Sequence, residues 1–200
     1  MTYVRLIISI IALFTLQACG GATPPVTVAP DIGFSDLDQS AKNLIRLYEN
    51  TAFTAPNSLP TNDTAAYSGY LGATIYNNLG NKVTRVIGEA DIEISFGGTI
   101  VSATGDITNF VDETQGAMQG ALTLSNGTLD PDGDPQSNPT FVAQATGVLR
   151  WPNLLNRNID VVLEGDLRGL SYNALAGEVL GQHSASGGNG QVVGSFILQR

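Results

Sequence analysis

Cysteine occurs once in this chain, at Cys19, and histidine once, at His183. A single cysteine cannot close a disulfide within the chain, and a zinc site built on several Cys and His ligands is excluded. A Ser-His-Asp arrangement would have to use His183. That residue sits in Gly181-Gln182-His183-Ser184-Ala185-Ser186-Gly187-Gly188, which reads as an exposed, mobile hairpin loop with nothing to orient a catalytic base. Basic residues are scarce as well: 9 Lys and Arg stand against 18 Asp and Glu, for a net charge of −9. They are scattered and form no basic stripe, so nucleic acid is excluded as a partner class. The acidity favours solubility and opposes adsorption to anionic membranes. The chain reads as a non-enzyme, with no catalytic residue and no cofactor expected. Long apolar runs are also missing, for the longest falls short of the roughly 20 residues that a spanning helix needs.

That longest run is informative by its position. Arg5 precedes Leu6-Ile7-Ile8-Ser9-Ile10-Ile11-Ala12-Leu13-Phe14-Thr15-Leu16, and Gln17-Ala18-Cys19-Gly20 follows. A charged start, a short apolar run and a small residue before the cut describe a secretory signal peptide. Leu16-Gln17-Ala18-Cys19 resembles the lipobox of bacterial lipoproteins, in which the cysteine is lipidated and becomes the first residue of the mature chain. Gln17 stands where a small residue is usual. The resemblance implies residues 1–18 as signal peptide, Cys19 as the lipidation site, and a membrane partner reached through the lipid anchor. Gly20, where a retention signal would put aspartate, resembles the pattern of outer-membrane lipoproteins. Which side of that membrane the protein faces, cell surface or periplasm, stays open.

Residues 19–34 are rich in Gly, Thr and Pro and read as a flexible tether. A helix and linker then occupy 35–61. Ser35 and Asp38 have capping-box spacing, and Leu37, Ala41, Leu44, Ile45 and Tyr48 make one apolar stripe. Pro56 and Pro60 stop the helix from continuing. Lys42 and Arg46 do not make a basic face, so the stripe is expected to pack on the following domain rather than on a membrane.

From residue 62 to 200 the period changes to two. Tyr67, Gly69, Leu71, Ala73 and Ile75 share a face; Ala90, Ile92, Ile94 and Phe96 share the next, and Gly97-Gly98 supplies a hairpin turn. Further segments follow at Val101–Ile107, Met118–Leu124, Phe141–Trp151, Ile159–Leu167, Leu175–Gly181 and Val192–Leu198, which makes eight. Eight antiparallel strands with one apolar face can close on themselves and abolish exposed edges. The expected fold is therefore all-β: an eight-stranded antiparallel up-and-down β-barrel preceded by one short N-terminal helix. About eight strands leave an interior just wide enough for side chains to fill. A sandwich of the same strands is the alternative. A transmembrane barrel would alternate too, with its apolar face outward, but the polar faces here are charged and aromatic girdles are absent.

Ala90-Asp91-Ile92-Glu93-Ile94-Ser95-Phe96-Gly97-Gly98-Thr99, followed by Gly105-Asp106-Ile107, resembles the paired strands that begin the barrels of transferrin-binding protein B-like surface lipoproteins. Gly165-Asp166-Leu167-Arg168-Gly169, Ala174–Gly181 and Gly194-Ser195-Phe196 resemble the closing glycine pattern of those barrels. The aromatic-Gly-Pro usual before the final strands is replaced by Leu170-Ser171-Tyr172-Asn173. The resemblance covers roughly residues 65–200 and implies a lipid-anchored outer-membrane protein that binds a macromolecule, such as an iron- or haem-carrying protein, through barrel loops. A periplasm-facing structural or accessory envelope lipoprotein is the second reading.

Three connections are expected to carry recognition: 110–117, the acidic loop 130–139, and the Gly/Ser loop 183–190. Tyr70 and Tyr76, on the polar face of the first strand, are the expected exposed aromatic patch for a protein partner. Trp151 is the third candidate anchor, although its phase with the core face favours a core-capping role. Asp130, Asp132 and Asp134 have the spacing with which calcium loops begin. Pro135 and Phe141 stand where an EF-hand has Gly and Glu, which favours an ordinary turn.

Overall fold

A computed structural model describes residues 32–97, 100–130, 140–153 and 155–200. The expected signal peptide, the lipidation site Cys19, most of the tether, Gly98 of the expected Gly97-Gly98 turn, and residues 131–139 of the expected acidic loop, with the calcium candidates Asp132 and Asp134, lie outside the described residues.

The chain forms a closed antiparallel barrel of eight strands with one short extra strand. The strands are β1 (Asn62–Tyr76), β2 (Lys82–Gly97), β3 (Ile100–Asp112), β4 (Gly116–Ala117), β5 (Leu122–Asp130), β6 (Thr140–Arg150), β7 (Asn156–Arg168), β8 (Ala174–Ala185) and β9 (Gly188–Gln199). Each barrel strand pairs with its neighbour in the chain, β4 is a two-residue spur on β3, and β1 pairs with β9 to close the cylinder. The eight expected segments overlap these barrel strands in order; most strands are longer, β6 is offset by one residue, and the fourth segment shares only residues 122–124 with β5.

The apolar faces turn inward. Tyr67, Leu71 and Ile75 of β1 meet Ile92, Ile94 and Phe96 of β2, and the rest of the cylinder contributes Ile107, Phe141, Leu163, Val179 and Phe196 to the same cluster. Outward positions carry Asp91, Glu93, Asp106, Asp160, Glu164 and Glu178, the reverse of the alternation in a lipid-exposed barrel. The interior is filled: the cavity among Leu71, Phe110, Leu149 and Val179 measures about 10 Å³, barely the space of one water. Two glycines make this tight packing possible. Gly165 and Gly177 are paired across β7 and β8, and a Cβ on Gly165 would stand 2.8 Å from the Phe196 ring. Phe196 in turn meets Phe141 edge-on, with ring centroids 6.1 Å apart.

Two strands carry bulges that reverse their phase. Asn109 (φ 51°) and Asn126 (φ 53°) adopt the left-handed conformation that asparagine tolerates better than most residues. Before Asn109 the odd residues Ala103 and Ile107 face inward, whereas beyond it Phe110 and Asp112 do. Leu122 and Leu124 likewise give way to Gly127 and Leu129. The expected third and fourth segments stop just short of these bulges, which is why they came out short.

The helix α1 (Phe34–Tyr48) lies on the outside of the barrel, against β1, β2 and β9. Its cap differs from the expected Ser35–Asp38 box. Gly33 is the N-cap, and Asp36 reaches back to accept the Gly33 N–H at 3.3 Å. Asp38 instead takes Lys42 at 2.6 Å and Arg85 of β2 at 3.1 Å, and these hydrogen bonds and charges, Lys42 first, hold its carboxyl below the usual range. Leu37 is buried against Ile87 and Val111, with Phe34, Ala41 and Tyr70 packed around them. The stripe loosens toward the C-terminus, where Ile45 is 41% exposed and Leu47 62%.

Candidate functional site

Two places gather side chains capable of more than filling space: a polar cluster at one end of the barrel and a pair of grooves beneath α1.

The polar cluster is built at the end where β1, β3, β6 and β8 finish. Past the bulge at Asn109, β3 aims Asp112 inward, and the residue is 1% exposed. Its carboxylate accepts hydrogen bonds from the Thr84 hydroxyl (2.9 Å), the Trp151 indole N–H (2.7 Å), the Thr114 N–H (2.8 Å) and hydroxyl (2.9 Å), and the Gln115 N–H (3.0 Å). Burial opposes the charge, but the bonds from Thr114, Trp151 and Thr84 outweigh it and hold the Asp112 carboxyl below its ordinary range. Arg157 lies over the Trp151 ring at 5.2 Å, and its guanidinium donates to His183 Nδ1 at 3.2 Å. His183 Nε2 stands 2.9 Å from the Tyr76 carbonyl. A carbonyl only accepts and a guanidinium only donates, so Nε2 carries the proton and His183 is neutral. Burial, and then the charge of Arg157, depress the His183 pKa against the pull of the Tyr76 bond.

His183 is therefore not an exposed loop histidine. It is 2% exposed and belongs to β8, in phase with Leu175, Val179 and the inward face. The supposed Gly/Ser loop 183–190 is likewise a tight hairpin: pairing continues to Ala185↔Gly188, which leaves Ser186-Gly187 as the turn. Both ring nitrogens of His183 are engaged, so the arrangement cross-links strand ends and offers no free base.

The other expected anchors are also drawn into the structure. Trp151 is 3% exposed and caps the core, which removes it from any exposed patch. Tyr70 is half-buried beneath α1, and Tyr76 is half-buried with its carbonyl engaged by His183. Neither tyrosine is fully exposed: α1 covers Tyr70, whereas Tyr76 lies at the polar end of β1. Connection 110–117 is strand to Asp112, then a turn ordered on the Asp112 carboxylate, then β4. Asp130 ends β5 at an exposed position, and among the described residues no group of three or more His, Cys, Asp or Glu is placed to hold a metal.

The grooves were not legible beforehand, because they arise from how α1 stands off the wall. On one side, a groove of about 720 Å³ runs from Ile45, Tyr48 and Glu49 across Ala176, Gly177 and Ile197 to Glu164, Asp166, Arg168, Glu178 and Leu180. On the other, about 570 Å³ lies between Asn43, Leu44 and Leu47 of the helix and Ser68, Tyr70, Glu89 and Asp91 of the wall. In the larger groove burial raises the Asp166 pKa, with Arg168 opposing and Glu164 adding to the shift.

Comparison with family models, with curated proteins and with solved structures finds no match for this chain.

Proposed function

We propose that this protein is a non-enzymatic, lipid-anchored envelope protein of the bacterial outer membrane, and that it binds a protein partner on the outside of its barrel. The observation that carries the binding reading is the filled interior: with about 10 Å³ inside and about 720 Å³ in the groove beneath α1, contact has to be external. The lipobox-like Leu16–Cys19 segment supports the anchor. The resemblance of residues 90–107 and 165–196 to transferrin-binding protein B-like barrels supports a recognition role, and an iron- or haem-carrying protein is the partner class that it implies.

Two measurements test this reading. Cys19→Ala should leave uncleaved precursor and abolish lipid labelling; normal maturation and membrane retention would overturn the anchor. Photo-crosslinkers placed around the exposed wall and turns, in intact cells, should trap one protein reproducibly. If no exposed position traps a protein, the binding role is overturned.

A further inference from the structure

The outer wall of β7–β9 has a composition that folding does not favour. Glu164 of β7 lies directly opposite Glu178 of β8, and Asp166 is two residues along the same face. Like charges directly opposite one another weaken a strand pair. The salt bridges of Lys42, Lys82, Arg85 and Arg200 do not reach this wall; Arg168, which lines the same groove, acts on Asp166 and leaves the facing pair Glu164 and Glu178. One step along the strands the wall turns apolar. Val162, Leu180 and Val193 form a row across β7, β8 and β9, 42%, 51% and 41% exposed. The carboxylates and Leu180 line the groove of about 720 Å³ that the C-terminal half of α1 roofs with Ile45.

We propose that this groove receives a cationic amphipathic segment of a protein partner, with its basic side chains against Glu164 and Glu178 and its apolar ones on Leu180 and the adjoining valines. The proposal rests on the external-binding reading above and names the site and the partner's chemistry. Charge complementarity selects the occupant. A second copy of this chain would bring a net charge of −9 to an acidic wall, and an anionic lipid surface is repelled by the same carboxylates. The chain's own cations are mostly engaged, four in salt bridges, Arg157 at the polar end and Arg168 over Phe53 at 4.7 Å.

The test measures fluorescence anisotropy of a labelled short peptide of alternating Lys and Leu, and of its Glu-for-Lys counterpart, with the full-length protein in non-ionic detergent. The Lys peptide should bind and the Glu peptide should not. Glu164→Gln/Glu178→Gln should weaken binding about tenfold or more. Asp91→Asn/Glu93→Gln, which removes two charges from β2, should change it little. Leu180→Ser should weaken binding without altering its salt dependence, and circular dichroism should confirm that each variant is folded. Equal losses in the two charge variants would mean diffuse attraction and overturn the groove; so would failure of the Lys peptide to bind. A native partner that crosslinks only at exposed positions away from β7–β9 would remove this site while leaving the external-binding reading intact.

Discussion

The two ends of the barrel are sealed by different chemistry. At one end the strands close the gap themselves with a buried polar chain, from Thr84 through Asp112, Trp151 and Arg157 to His183 and the Tyr76 carbonyl. At the other, the segment before β1 does the sealing. Thr54 donates its N–H to Leu167 (2.9 Å) and its hydroxyl to the Gly169 carbonyl (2.8 Å), while Ala52 accepts the Gly169 N–H. Aromatic rings complete that lid: Tyr172 packs against Phe96 at 5.6 Å, lies under Arg200 at 4.5 Å, and accepts the Tyr67 hydroxyl on its carbonyl at 2.9 Å. The polar end concentrates its stability in one carboxylate whose removal strands several donors. The lidded end spreads it over backbone bonds and ring contacts, so single losses there should be shallow.

The largest effect should come from Asp112→Ala. It orphans the Trp151 indole and the Thr84 hydroxyl in a buried site and leaves Arg157 without its nearby carboxylate, so a loss of about 3–5 kcal/mol is expected. Urea unfolding measures it, and a loss below about 1 kcal/mol would erase the contrast between the ends. Trp151→Phe keeps most of the core volume and withdraws one charge-assisted bond, for an expected cost of about 1.5–3 kcal/mol. Thr54→Val, the matching test at the lidded end, removes one neutral bond and should cost about 1 kcal/mol.

The smallest effect is a dependence on pH. The folded-state pKa of His183 lies below its unfolded value, so its contribution is complete above the ordinary histidine range and fades as pH falls below about 6.5. The stability gap between the parent and His183→Gln should therefore narrow on acidification, as followed by melting temperature at paired pH values. A gap that widens would mean that His183 is charged in the fold.

The eight-strand plan was readable because nearly every barrel strand keeps a period of two over its core-facing residues, as in Phe141-Ala143-Ala145 or Ile159-Val161-Leu163. Asp112 was hidden because a bulge resets the phase three residues earlier: Val111 has the inward parity by simple alternation, yet packs outward under α1. Asn109 and Asn126 were the available signals, since asparagine inside a strand pattern marks a site able to turn left-handed. His183 was within reach, because the parity of Leu175, Gly177, Val179 and Gly181 continues to it. Its Gly- and Ser-rich neighbours suggested a loop, but strand pairing overrode that local preference. Trp151, by contrast, kept its parity and its place in the core. The grooves depend on a helix resting on a wall distant in sequence, and no local pattern encodes that.

The pairing of β1 with β9 sets the order in which the cylinder can be completed. The other barrel pairings join strands adjacent in the chain, whereas Leu71 must find Phe196 across almost the whole domain. Loop-closure entropy makes such a contact late and slow compared with hairpin formation. On the ribosome the seam cannot shut until the final strand has emerged, and until then β1 and β8 are open edges able to pair with other chains. Loss of β9, even by a short C-terminal truncation, should thus convert a closed molecule into an aggregating sheet.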